Sequence, residues 1–169
     1  MSRQGYATQD RGAEQNRRRV QQWMMDMGYS VRQEATPGAS WVLIAAIPDS
    51  VGFAVVQEPT KLDRLVIQCN LDVSQEHQGL LSDLSPAERS AFMWELRFGL
   101  LSAIVEFKFD GEPLTRVGVA RPLYVDGLTK NTFAHAVQEV RHAGLFVSWK
   151  LMQKAENGAG GDLSNIRVN

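Results

Sequence analysis

The sequence holds a single cysteine, Cys69, in 169 residues, so no disulfide can form within one chain. One isolated thiol fits a reducing compartment. Net charge is nearly absent, at −1 at pH 7, which removes any bulk electrostatic hold on nucleic acid or on an anionic membrane. Long apolar runs are missing as well. The longest, Trp41 to Ile47, is too short to span a bilayer. The first nineteen residues, MSRQGYATQDRGAEQNRRR, contain no apolar core of a leader, so no secretory signal is expected. There is no glycine-rich phosphate loop, no nucleophile elbow and no internal repeat. The chain is expected to be cytoplasmic, and neither a cofactor nor catalysis is expected of it.

What is present is an ordinary globular balance, 44% hydrophobic and 22% charged, enough for one domain with a real core. The stretch SPAERSAFMWELRFGLLSAIVEF, Ser85 to Phe107, organises the rest. Ser85, Pro86 and Glu88 make a capping box with proline at the first helical position. At about 100° per residue two apolar stripes emerge. Phe92, Leu96, Leu100, Ala103, Ile104 and Phe107 share one side. Trp94, Phe98, Leu101 and Val105 share another, nearly opposite, and are candidate residues of a dimer interface.

Before this helix, residues 1–8 read as loose. Helix 1 is expected from Gln9 to Met27, with Gly28 at a left-handed cap. Strands follow at Tyr29–Glu34, Trp41–Ile47, Val51–Glu58 and Leu62–Val73, joined by turns too short for parallel crossovers, so an antiparallel meander is predicted. In the last of these, Leu65, Ile67, Cys69, Leu71 and Val73 alternate with polar residues, which buries the Cys69 thiol. Ser74 to Leu84 reads as a polar connection. After the central helix, Val105 to Phe109 fits either helix or strand. Leu114–Tyr124 is a strand, with Pro122 marking its end or an exposed edge. A long helix opens at Thr129 with a stripe of Phe133, Val137, Val140, Gly144, Val147 and Leu151. The single α+β domain is expected over 9–155, with 156–169 as a flexible glycine-rich tail.

Two clusters of side chains and one lone thiol are candidate sites. His135, Glu139 and His142 fall on one face of the last helix, but no fourth ligand accompanies them, so no metal is expected. Arg17, Arg18 and Arg19 fan over more than half of helix 1, which reads as solvated surface and not as a phosphate-reading patch. Cys69 reads as inert.

The element order, with a Leu114–Tyr124 strand followed by Gly127-Leu128-Thr129 opening a long amphipathic helix, resembles the type III secretion chaperone-like fold. That group takes in secretion chaperones and a related bacterial family of sensory-transduction regulators. The resemblance implies a twisted antiparallel sheet backed by helices, a homodimer, and binding of another protein or peptide. The expected function is therefore that of a non-enzymatic, dimeric polypeptide-binding adaptor, with no nucleic-acid or membrane partner. The alternative is an enzyme or small-ligand protein with a pocket between sheet and helices.

Overall fold

The computed structural model describes residues 3–48 and 50–158. Among them the chain runs α1 (Arg3–Asp26), β1 (Ser30–Glu34), β2 (Trp41–Ala46), β3 (Phe53–Gln57), β4 (Arg64–Asp72), α2 (Gln75–Asp83), α3 (Pro86–Ser102), β5 (Glu106–Asp110), β6 (Arg116–Tyr124) and α4 (Lys130–Gly158). This is the α+β architecture expected, an antiparallel sheet backed by helices. The six strands lie in the order β1-β2-β3-β4-β6-β5, antiparallel throughout. The predicted meander is β1 to β4. β6 then enters beside β4, and β5 closes the sheet as its far edge.

Alternation along each strand sends one set of side chains toward the helices. Leu43, Val55, Leu65, Ile67, Val117 and Val119 are fully or almost fully buried there. They meet Val20 and Met24 of α1 and Phe133, Val137, Val140 and Val147 of α4, which realise the predicted stripe. Each such side chain stabilises the fold by about 1.5–3 kcal/mol relative to water exposure. α4 packs closely at Gly144, where a Cβ would stand 2.7 Å from Val51 and 3.2 Å from the Cys69 sulfur of β4. Gly28 takes φ 85° and ends the first helical run, with the Tyr29 amide donating to Met24 O at 3.0 Å. One polar group is carried into this core. Gln57, fully buried, accepts from Trp41 Nε1 at 3.0 Å and donates to Leu62 O at 3.0 Å, while the same indole N–H also reaches Ala13 O. Both ends of the amide are satisfied, so its burial carries no unpaired-group penalty.

The structure departs from the sequence expectations in four places. α1 is helical from Arg3, six residues before the expected start at Gln9. α4 runs to Gly158, three residues beyond Ala155, and the rest of the expected glycine-rich tail lies outside the described residues. The expected polar connection Ser74–Leu84 contains α2. Ser74 caps it by accepting from the His77 amide at 3.3 Å, and His77 and Leu81 turn inward one helical turn apart. Finally, the central helix stops at Ser102, before the stretch Val105 to Phe109 that by sequence fits either helix or strand. Ala103 caps it, Ile104 takes a left-handed φ of 55°, and the alternation of Phe107 and Phe109 becomes strand β5. Pro122 sits inside β6 opposite Val66, but β5 spans β6 only from Arg116 to Ala120. Residues 121–124 therefore have a neighbour on one side alone, a local edge that tolerates a residue without an N–H.

Candidate interaction site

Helix α3 is fixed at its start by chemistry the sequence displays. The Ser85 amide donates to Glu88 Oε2 at 3.0 Å and the Glu88 amide donates to Ser85 Oγ at 3.3 Å. The Ser85 hydroxyl, donating to Glu88 Oε2 at 2.6 Å, and after it the Ser85 amide hold the Glu88 carboxyl below its ordinary value. Phe92, Leu96 and Leu100 then enter the core. Against α4 the helix is seated by Gly99, where a Cβ would come within 2.1 Å of the Phe146 ring, and by the ion pair between Glu95 and Lys150. Only a residue without a side chain lets that ring lie on the α3 backbone.

This seating decides what faces outward. Trp94, Phe98 and Leu101 are 52%, 64% and 61% exposed. The Trp94 and Phe98 rings stack at 5.6 Å between centroids. Arg97 lies 5.1 Å above Trp94 and 5.6 Å above Phe109 of β5, tying the ridge to the edge strand by its own cation–π contacts. Three of the four residues expected on the outer stripe thus form one apolar ridge. Val105 does not join them. The helix ends before it, and Val105 is buried at the start of β5. Ile104, placed on the core-side stripe by a continuous helix, turns out into water at 66% exposure because its left-handed φ redirects it. Trp149 of α4, 63% exposed, had no signal in the sequence.

The face of the sheet away from the helices is a second unpartnered surface among the described residues. Register places Val42, Val56, Val66 and Pro122 side by side across four strands. Val42 and Val56 of this row, with Ile44, Ala46 and Ala54, line a trough of about 450 Å³, bordered by Arg32, Glu34, Gln68 and Asn70. Arg32 and Glu34 pair with each other at 3.6 Å. The trough therefore lies on the open face, not between sheet and helices.

The remaining candidates find partners inside the fold. Arg17 and Arg18 both bind Glu14 at 2.7 Å, Arg17 also reaches Gln21 and Gln33, and Arg19 lies 5.2 Å over Trp23. The two guanidinium groups, Arg17 first, draw the Glu14 carboxyl down to about 2. Glu139 is engaged by Arg121 at 2.9 Å, and His135 and His142 are exposed. Among the described residues no group of three or more His, Cys, Asp or Glu is placed to hold a metal ion. Cys69 is a buried free thiol whose pKa burial pushes up to about 12. Among the described residues no helix is long and apolar enough to cross a membrane.

Residues 16–151 match the protein family described as "Uncharacterized conserved protein (DUF2299)". A search of curated proteins found no match. Among solved structures, an uncharacterized protein from Methanothermobacter thermautotrophicus is 27% identical, with a TM-score of 0.75 over 84% of this chain and 98% of that one. The ExsC–ExsE complex is 14% identical, with a TM-score of 0.43 over 63% of this chain and 73% of that one. YbjN from E. coli is 18% identical, with a TM-score of 0.42 over 82% and 90%. The last two are likenesses of overall fold, and no residue role passes with them.

Proposed function

The chain belongs to the family described as Uncharacterized conserved protein (DUF2299); since that membership brings a fold and no reaction, we propose a reading from its surfaces, that of a non-enzymatic, dimeric protein that binds another polypeptide. The observation that carries it is the ridge of Trp94, Phe98 and Leu101, an aromatic surface that nothing in the described chain covers. Contiguous exposed apolar patches on soluble monomers are uncommon and mark interaction sites. The ridge serves self-association. The open sheet face and the free edges at β1 and β5 are the surfaces on which an extended polypeptide docks, by apolar contact in the trough and by strand addition at an edge. A single free cysteine fits a cytoplasmic setting.

The test is affinity capture by the purified wild type and by Val66→Arg, a change on the open face. Recovery of one polypeptide by the wild type and its loss with the folded variant supports the reading. If nothing beyond the bare matrix is retained, polypeptide binding is wrong. Retention of a small molecule by the wild type alone, detected by native mass spectrometry, favours the ligand-binding alternative, with its pocket moved to the open face.

A further inference from the structure

Ile104 carries two unfavourable features at once. Its φ of 55° lies in the left-handed region, where a β-branched side chain is strained. The fold asks only for a left-handed residue there, and elsewhere this chain meets the same demand with glycine, at Gly28, Gly38 and Gly111. Ile104 is also 66% exposed, so most of its side chain is unused within its own chain. Both features are accounted for if the isoleucine is there for a contact beyond the chain. From Leu101, to whose carbonyl the Ile104 amide donates at 3.4 Å, it extends the α3 ridge by one more apolar group.

The ridge also extends sideways. Gly99 against Phe146 and Glu95 against Lys150 fix α3 and α4 as antiparallel neighbours. Trp149 lies three residues past Phe146, about 60° round the helix. In an antiparallel pair that turn carries it to the outward side, where Phe98 stands about 100° round from Gly99.

We propose that Trp94, Phe98, Leu101, Ile104 and Trp149 form one interface and that its occupant is a second copy of this chain, which rests on the dimeric reading above. Area argues for this occupant. With about 200 Å² for each aromatic side chain and roughly 150 Å² for Leu or Ile, their exposed fractions leave about 550 Å² per copy. Two copies exclude about 1,100 Å², which reaches the lower bound for a specific interface before any polar rim is added. The cation beside the ridge, Arg97, is stacked on Trp94 and Phe109 of its own chain, and the five ridge side chains themselves carry no charge for a charged partner to read. Two-fold pairing sets the same apolar surface against itself.

The experiment is sedimentation velocity over a dilution series of the full chain, with melting curves at the dilute end. The wild type is expected to dissociate on dilution. Trp149→Ala is expected to weaken self-association about tenfold or more and to leave the monomer's Tm unchanged. Ile104→Gly is expected to weaken it while raising the monomer's Tm by about 2–4 °C, because the strain is removed along with the contact. A wild type that stays monomeric at high micromolar concentration overturns both this inference and the dimeric reading. A wild-type dimer that neither variant weakens overturns this inference alone. A lowered monomer Tm in Ile104→Gly shows that Ile104 packs within its own chain, and also overturns it.

Discussion

Gly99→Ala is a sharp test of how α3 is seated, and with it of which side chains face outward. In an isolated helix the change stabilises by about 1 kcal/mol, because glycine is the poorer helix former. Here the new methyl would stand 2.1, 2.4 and 2.9 Å from three atoms of the Phe146 ring. No rotamer of alanine avoids this, so the half-buried ring must swing away and lose its contact with α3. Overpacking of this kind costs about 1–3 kcal/mol. The net expectation is a loss of about 1–2 kcal/mol, read as a Tm lower by about 3–6 °C for a chain of this size. Thermal melting followed by far-UV dichroism measures it. The mechanism is isolated by repeating the change in a Phe146→Ala background, where the obstruction is gone and Gly99→Ala becomes stabilising by up to about 1 kcal/mol. If Gly99→Ala raises the Tm of the otherwise wild-type chain, Phe146 does not lie on Gly99. The outward direction of Trp94 and Phe98 then loses its footing.

Phe98→Glu should leave far-UV dichroism and the dilute monomer's Tm nearly unchanged, since the ring is 64% exposed, while light scattering shifts toward the monomer; unfolding would place Phe98 in the core. Cys69 should react slowly with a thiol reagent at pH 8 in the native state and quickly in denaturant, because burial raises its pKa to about 12 and leaves little thiolate; equal rates would contradict the burial. Glu14, held at about 2 by Arg17 and Arg18 against an ordinary 4.5, contributes stability above pH 4.5 that is lost as pH falls toward 2. The Tm difference between wild type and Glu14→Gln should thus be constant from pH 5 to 7 and shrink below pH 4.5, and a difference that grows on acidification would reverse the sign of the argument.

The parts of the fold that were legible are those with a long period. The alternation from Leu65 to Val73 and the stripe from Phe133 to Leu151 each repeat enough times to settle type and orientation. The capping box at Ser85 was legible because its two bonds need only a fixed spacing. α2 escaped because nine residues with two inward side chains give a single helical interval and no repeat of it. The end of α3 escaped for a different reason. Nothing in Ala103-Ile104-Val105 breaks a helix by propensity, and a left-handed isoleucine is a tertiary outcome that overrides the local preference. That one residue moved Ile104 onto the ridge and Val105 off it. Trp149 was invisible because its neighbourhood depends on how α3 and α4 cross, not on its own helix.

The four tryptophans divide by environment in a way that makes the protein its own optical instrument. Trp41 is sealed in the core with its N–H bonded to Ala13 and Gln57, and Trp23 packs on Phe133 at 5.8 Å. Trp94 and Trp149 stand in water on the ridge. A soluble quencher should therefore reach Trp94 and Trp149 in the dissociated chain, reach half-buried Trp23 less and spare Trp41, so that one emission band separates into a component that reports unfolding and a component that reports what touches the ridge, with no label attached.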